Sequence, residues 1–115
     1  MNDSKIALGT VQFGLNYGVA NKTGRLKTSE AKRILCEAKK NGVDIIDTAI
    51  AYGTSEHTLG ELGVDEFRVV TKLPSSPVDH SNIFCWIRNQ VEASLKRLGQ
   101  EKLYGLLLHR PRDLL

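Results

Sequence analysis

Cysteine, proline, methionine and tryptophan are scarce in this chain of 115 residues, at two, three, one and one. Two cysteines with no CxxC spacing cannot build a disulfide-stapled scaffold. Cys36 and Cys85 fall in predicted helices, and reduced, buried thiols of a cytoplasmic protein are the expectation for them. No apolar run approaches the ~20 residues that a membrane-spanning helix needs. The opening MNDSKIALG has no basic segment followed by an apolar stretch, so no secretory signal is read there. Sixteen Lys and Arg against thirteen Asp and Glu leave a formal net charge of +3. The basic residues are scattered rather than clustered, so no nucleic-acid footprint is read. His57 and His80 lack Cys, Asp or Glu partners at metal-ligand spacing, which argues against a metal site. What remains, 41% hydrophobic and 25% charged, is the composition of one soluble domain, not of a collagen or a disordered chain.

The pattern along the chain alternates. Ile6 to Leu8 is a short apolar run ending in Gly-Thr, as a buried strand does on entering a loop. Gly9 to Lys27 is rich in Gly and Asn and reads as an irregular connection. Thr28 and Ser29 offer N-cap oxygens, Glu30 suits a first turn, and Ala31, Ile34, Leu35 and Ala38 recur at helical spacing up to Asn41-Gly42. A second strand follows over Val43 to Thr48, a short helix over Ser55 to Leu62, and a third strand over Phe67 to Lys72. Ser81 is placed to cap a long helix with Ile83, Ile87, Val91, Leu95 and Leu98 on one face, and Gly99 ends it. Phe84 and Trp86 in that helix read as packing residues. Leu103 to Leu108 is the fourth strand. The order β-α-β-α-β-α-β, with strands apolar on both faces, implies an α/β domain of parallel (β/α) repeats joined by right-handed crossovers.

Chemistry in such folds collects at the carboxyl ends of the strands. Here those ends carry Gly9-Thr10, then Asp47 with Tyr52 in the loop beyond it, then Lys72, then His109. Each alone has an ordinary explanation, such as a turn cap or a strand leaving the core. Together they place an acid, a base, a phenol and an imidazole on one rim. A free phenol titrates near ~10, too high for an efficient proton donor at neutrality. An ammonium beside a phenol favours its ionised form, and a carboxylate on that ammonium fixes its position. An adjacent imidazole can orient a carbonyl oxygen. The set suits protonation of a carbonyl oxygen while its carbon is attacked. No Ser or Cys nucleophile stands at a strand end, so the attacking group is read as a cofactor hydride. Asn16 to Thr23 has the spacing of a phosphate-binding P-loop, but Asn stands at both required glycines. Asn21-Lys22-Thr23 is a glycosylation sequon, without meaning unless the chain is secreted.

The run from Asp47 to Gly60, DTAIAYGTSEHTLG, resembles the DTAxxYGxSExxLG motif of the aldo-keto reductases at every fixed position. IALGT at 6–10, VTK at 70–72 and LLH at 107–109 are similar to that family's first, third and fourth strands. The resemblance implies a TIM (β/α)8 barrel and NADPH-dependent reduction of an aldehyde or ketone, or the reverse oxidation of an alcohol. It implies Tyr52 as general acid/base, Lys72 and Asp47 as the pair that tunes it, and His109 as the residue that orients the substrate. It also implies that Gly9, Thr10, Val11 and Asp47 meet the nicotinamide ribose. Residues 12–27 resemble a bacterial subgroup linked to surface-polysaccharide or sugar metabolism.

A TIM barrel typically takes about 250 residues. Four strands and three helices are the N-terminal half of one, so the expectation for 1–115 is a partial barrel domain truncated after the fourth strand. Half a barrel leaves two open edges and an uncovered apolar face. Three readings stay open: a chain cut short, a half-barrel that pairs with a second copy, or part of a longer chain. The isolated chain is expected to be inactive. The alternative to an enzyme is a non-catalytic, self-associating half-barrel or regulatory module.

Overall fold

The computed structural model describes residues 5–15, 26–76, 81–110 and 112. The P-loop-like stretch, the sequon, His80 and most of the 12–27 loop lie outside these. Four strands, β1 (Ala7–Gly9), β2 (Ile45–Asp47), β3 (Arg68–Leu73) and β4 (Gly105–Leu108), form one sheet in the order β1-β2-β3-β4, every neighbour parallel. The helices α1 (Thr28–Lys40), α2 (Ser55–Leu62) and α3 (Ile83–Leu98) fill the crossovers, and a short 3-10 turn, Val11–Phe13, follows β1.

Spatial order equal to chain order has a consequence. Each right-handed crossover puts its helix on the same side of the sheet, so the sheet winds singly, as in a (β/α)8 barrel. Side chains alternate along a strand. On the helix side, Ile46, Val69, Thr71 and Leu73 are buried. The pattern of β3 alternates strictly between buried and half-buried, so its other side is a separate surface. The register aligns Gly9, Asp47, Val70 and Gly105 on that second side, and Lys72 with Leu107 two residues further on. The expectation of strands apolar on both faces therefore holds only in part, because the second face carries the charged residues.

The core lies between sheet and helices: Phe13, Ala31, Leu35, Ile46, Leu59, Val64, Val69 and Leu98, with Leu8, Ile34 and Leu103 against it. Where α2 crosses α3, a Cβ on Gly60 would stand 1.9 Å from the Arg97 carbonyl oxygen. The glycine ending the resemblance motif is thus required by close helix packing.

Several local expectations need correction. Cys36 and Cys85 are exposed, not buried. Cys36 follows Leu35, which turns into the core, and one step along a helix rotates the next side chain away. The N-cap of α1 is Lys27 rather than Thr28 or Ser29, and that of α3 is Asn82 rather than Ser81. Neither Lys27 nor Asn82 makes a side-chain capping hydrogen bond. Phe84 is 68% exposed and lies under the Arg88 guanidinium, 5.1 Å from its ring centre, while Trp86 is half-buried. Full burial in α3 is confined to Ser94 and Leu98.

At the amino ends of β2 and β3, Arg68 donates to Asp44 Oδ1 at 2.9 Å, and its backbone N–H donates to the Asp44 carbonyl at 2.7 Å. The guanidinium also lies over the Tyr104 ring at 4.8 Å, drawing in the approach to β4. The hydrogen bond from Arg68 holds the Asp44 carboxyl below its ordinary value. A carboxyl lowered in the folded state contributes stability above its unfolded pKa and loses it as pH falls through the folded value. Asp44→Asn is therefore expected to lower stability at neutral pH, with the difference from the native chain shrinking below about pH 4. Denaturant unfolding of both proteins at several pH values measures this, and a difference that grows towards acid would contradict it.

Candidate active site

The site forms where the strands end. β2 stops at Asp47, yet the next residues stay pinned to β3: Thr48 N–H donates to the Val70 carbonyl at 2.8 Å and Ile50 N–H to that of Lys72 at 3.2 Å. A tight turn follows, with Tyr52 N–H on the Ala49 carbonyl and Ser55 N–H on the Tyr52 carbonyl. The phenol is thereby returned over the end of β3. A Cβ on Gly14 would stand 1.9 Å from the Tyr52 carbonyl oxygen and 2.4 Å from Ser55 N, so only glycine lets the loop after β1 support this turn.

Lys72 is the centre of the cluster. Its ammonium donates to Asp47 Oδ2 at 2.8 Å, to the Thr48 carbonyl at 3.0 Å and to the Tyr52 hydroxyl oxygen at 3.5 Å. An ammonium has three N–H donors, and three acceptors surround this one. Because the phenol oxygen accepts from Lys72, its own O–H is left to point elsewhere. His109 continues the β3–β4 ladder, its N–H on the Leu73 carbonyl at 3.2 Å. Its ring meets that of Tyr52 edge-on, centres 5.6 Å apart at 87°. His109 Nδ1 is buried without a hydrogen-bond partner among the described residues. An unpaired buried polar atom costs roughly 1–3 kcal/mol, a cost more readily understood at a functional position than at a purely structural one.

The structure thus brings Asp47, Tyr52, Lys72 and His109 into one cluster. Gly9 stands beside Asp47 at the end of β1, with nothing among the described residues within 4 Å of where a Cβ would sit. Thr10 is fully buried, and its hydroxyl donates to the Asp47 carbonyl at 2.9 Å, so this side chain belongs to the scaffold. Val11 opens the 3-10 turn. Elsewhere, His57 pairs with Glu61 at 2.9 Å on the surface of α2, and no group of metal-binding side chains occurs among the described residues. No described helix is long and apolar enough to cross a membrane.

Beneath the cluster lies a polar layer that composition and periodicity do not reveal. Ser55 Oγ lies 2.9 Å from Thr48 Oγ1 and within hydrogen-bond reach of the Thr10 carbonyl and hydroxyl, at 3.0 and 3.1 Å. Glu56 accepts from Thr71 at 2.8 Å and from Arg97 Nε at 2.8 Å. Ser55 and Glu56 are fixed positions of the resemblance motif, and that is the one signal that could have found them.

A singly wound parallel sheet with a reactive cluster on its carboxyl rim is part of a TIM-barrel enzyme fold. The chain belongs to the aldo/keto reductase family, whose sequence pattern matches residues 5–114. The uncharacterized oxidoreductases Mb2320 of Mycobacterium bovis and Rv2298 of Mycobacterium tuberculosis are each 37% identical over 112 residues, 94% of this chain and 33% of theirs. The crystal structure of PA4992 of Pseudomonas aeruginosa, assigned to the aldo-keto reductases, is 34% identical with a TM-score of 0.75, covering 96% of this chain and 46% of that one. The aldo-keto reductase AKR11C1 of Bacillus halodurans, in its holo form, shares the fold at 20% identity and a TM-score of 0.62, over 87% of this chain and 34% of its own. The chain therefore spans about a third of the curated relatives and about half of the Pseudomonas structure.

The contact between Gly14 and the Tyr52 turn generates a test. Gly14→Ala is expected to destabilise the chain by roughly 1–3 kcal/mol through overpacking against backbone that cannot yield. Equilibrium unfolding measures this, and a variant as stable as the native chain would refute the packing argument.

Proposed function

We propose that this chain supplies the proton-donating part of the active site of a carbonyl reductase, with Tyr52 as the donor and NADPH as the reductant. One observation carries the reading: the Lys72 ammonium, held by Asp47 Oδ2 and the Thr48 carbonyl, donates to the Tyr52 oxygen. The ammonium stands beside the oxygen on which charge would be left once a proton departs. The O–H, not engaged by Lys72, is free to meet a carbonyl oxygen in front of it. His109, at the edge of the Tyr52 ring, helps fix where that oxygen sits.

The rim also fits a nicotinamide. Gly9 leaves open space at the end of β1, as a flat ring lying close to backbone requires. Gly9, Val11 and the Asp47 carboxylate are the residues that would hold the nicotinamide ribose, with Thr10, buried and with its N–H, carbonyl and hydroxyl all engaged, supporting them from beneath. A bound reduced nicotinamide supplies the hydride that reduces the carbonyl carbon. Tyr52 gives its proton to the carbonyl oxygen, and the alcohol results. In the reverse direction Tyr52 removes the alcohol proton.

The reading concerns a complete barrel, since the relatives are two to three times as long as the matched segment. The isolated chain is expected to be inactive. A chimera in which it replaces the matching segment of the Pseudomonas protein provides the assay, with NADPH and a panel of aldehydes and ketones. Tyr52→Phe in the active chimera should lower kcat about 10²–10⁴-fold, the usual contribution of a general acid, with little change in cofactor affinity. Unchanged turnover would exclude Tyr52 as the donor.

A second reading, a self-associating half-barrel, is favoured by β4. Leu106, Leu107 and Leu108 are 38%, 50% and 39% exposed, on both sides of an edge strand. Unpaired apolar edges of this kind recruit another strand. Under this reading the chain sediments as a discrete dimer, and Leu107→Lys shifts it to monomer. A native chain that is monomeric at micromolar concentration counts against it.

A further inference from the structure

Glu56 is an acidic residue where an apolar one would be expected, 2% exposed at the start of α2 and facing the sheet. Its carboxylate joins three elements. Oε2 accepts the Thr71 hydroxyl of β3 at 2.8 Å, and Oε1 accepts Arg97 of α3, whose second guanidinium nitrogen reaches Ser94 Oγ at 3.2 Å. Thr71 and Ser94 are completely buried. Only the Glu56 end of this ion pair is buried, the Arg97 side chain being 37% exposed, and desolvation of the carboxylate offsets much of the attraction, so the pair is weak evidence for stability. The arrangement calls for another account.

Thr71 and Lys72 are consecutive on β3 and project to opposite faces. Likewise, Glu56 follows Ser55, whose N–H is bonded to the Tyr52 carbonyl. The Glu56–Thr71 hydrogen bond therefore couples the segment carrying the phenol to the strand carrying the ammonium, from behind the sheet. The coupled distance is the most sensitive one in the cluster. At 3.5 Å, Lys72 to Tyr52 is the longest of the three ammonium contacts and the first to be lost if α2 slips along β3.

We propose that Glu56 is a positioning residue that, through the Thr71 hydroxyl, fixes the spacing between Lys72 and Tyr52. Its purpose rests on the reading of Tyr52 as proton donor, but its geometry does not. The Thr71 hydroxyl transmits the restraint, and Arg97 holds the carboxylate in the orientation that receives it.

The test is made on the 115-residue chain by NMR, without cofactor or substrate. The contact is read as the NOE between the Lys72 side-chain methylenes and the Tyr52 ring, and NOEs across the Ile46–Val69 pair report an intact sheet. Thr71→Val keeps the shape of the side chain and removes the hydroxyl. It is expected to lose the Lys72–Tyr52 NOE while keeping the sheet NOEs. Thr71→Ser, which keeps the hydroxyl, should retain both. If Thr71→Val fails to fold, the double variant Glu56→Met/Thr71→Val removes both polar partners and leaves no unpaired buried carboxylate. It should fold and lose the same NOE. A folded variant of either kind with the NOE at native intensity would overturn the proposal, even if its melting temperature fell, since that is what a merely structural bond predicts. A result in which Tyr52 proves dispensable for carbonyl reduction would leave this measurement untouched, so the two readings fail separately.

Discussion

The hydroxyl of Ser55 is the point on which the carboxyl rim depends. A parallel sheet ends in a row of loops whose backbone groups have no further strand to pair with, and burying them requires partners. Ser55 Oγ lies within 3.1 Å of Thr10 at two atoms and of Thr48 at one. Those two threonines flank Asp47 on adjacent strand ends. The Asp47 carbonyl in turn takes both the N–H and the hydroxyl of Thr10. One residue therefore anchors the scaffold through its backbone and the reactive cluster through its carboxylate. The cluster is held because the loops beneath it are satisfied.

The same sheet divides the molecule into a finished and an unfinished surface. On the helix side, β2 and β3 are sealed by Ile46, Val69 and Leu73 packed towards the helices. Among the described residues no strand pairs with the outer edge of β1 or of β4, and β4 is apolar on each of its faces. Singly wound sheets accumulate this asymmetry with every repeat and remove it only by closing. The chain's share of its relatives' length agrees with a sheet part of the way round.

The order of elements and the residues at the strand ends were legible from the sequence, because both follow from periodicities of 2 and 3.6 and from breaks at Gly and Asn. Asp47, Tyr52, Lys72 and His109 stood out because reactive side chains at strand ends are few. The supporting residues were hidden for the opposite reason. Thr10, Thr48, Ser55, Thr71 and Ser94 are small and polar, and residues of that type are mostly exposed elsewhere. Their burial is set by tertiary pairing, Thr10, Thr48 and Ser55 with one another, Thr71 with Glu56 and Ser94 with Arg97, which a linear pattern does not record. Cys36 and Phe84 were misplaced because residue type suggests burial, whereas the rotation of each side chain about its helix decides it.

The two ends of β2 and β3 each carry an aspartate–cation pair with a tyrosine beside the cation: Asp44, Arg68 and Tyr104 at one end, Asp47, Lys72 and Tyr52 at the other. Four residues of strand separate the cations, about 13 Å at the usual rise, and each cation carries its own carboxylate, so each pair presents little net charge to the other. The pairs are thus mechanically continuous, and each is neutralised within itself. Exchanging the far pair for another that is neutral within itself therefore leaves the charge seen by the rim unchanged.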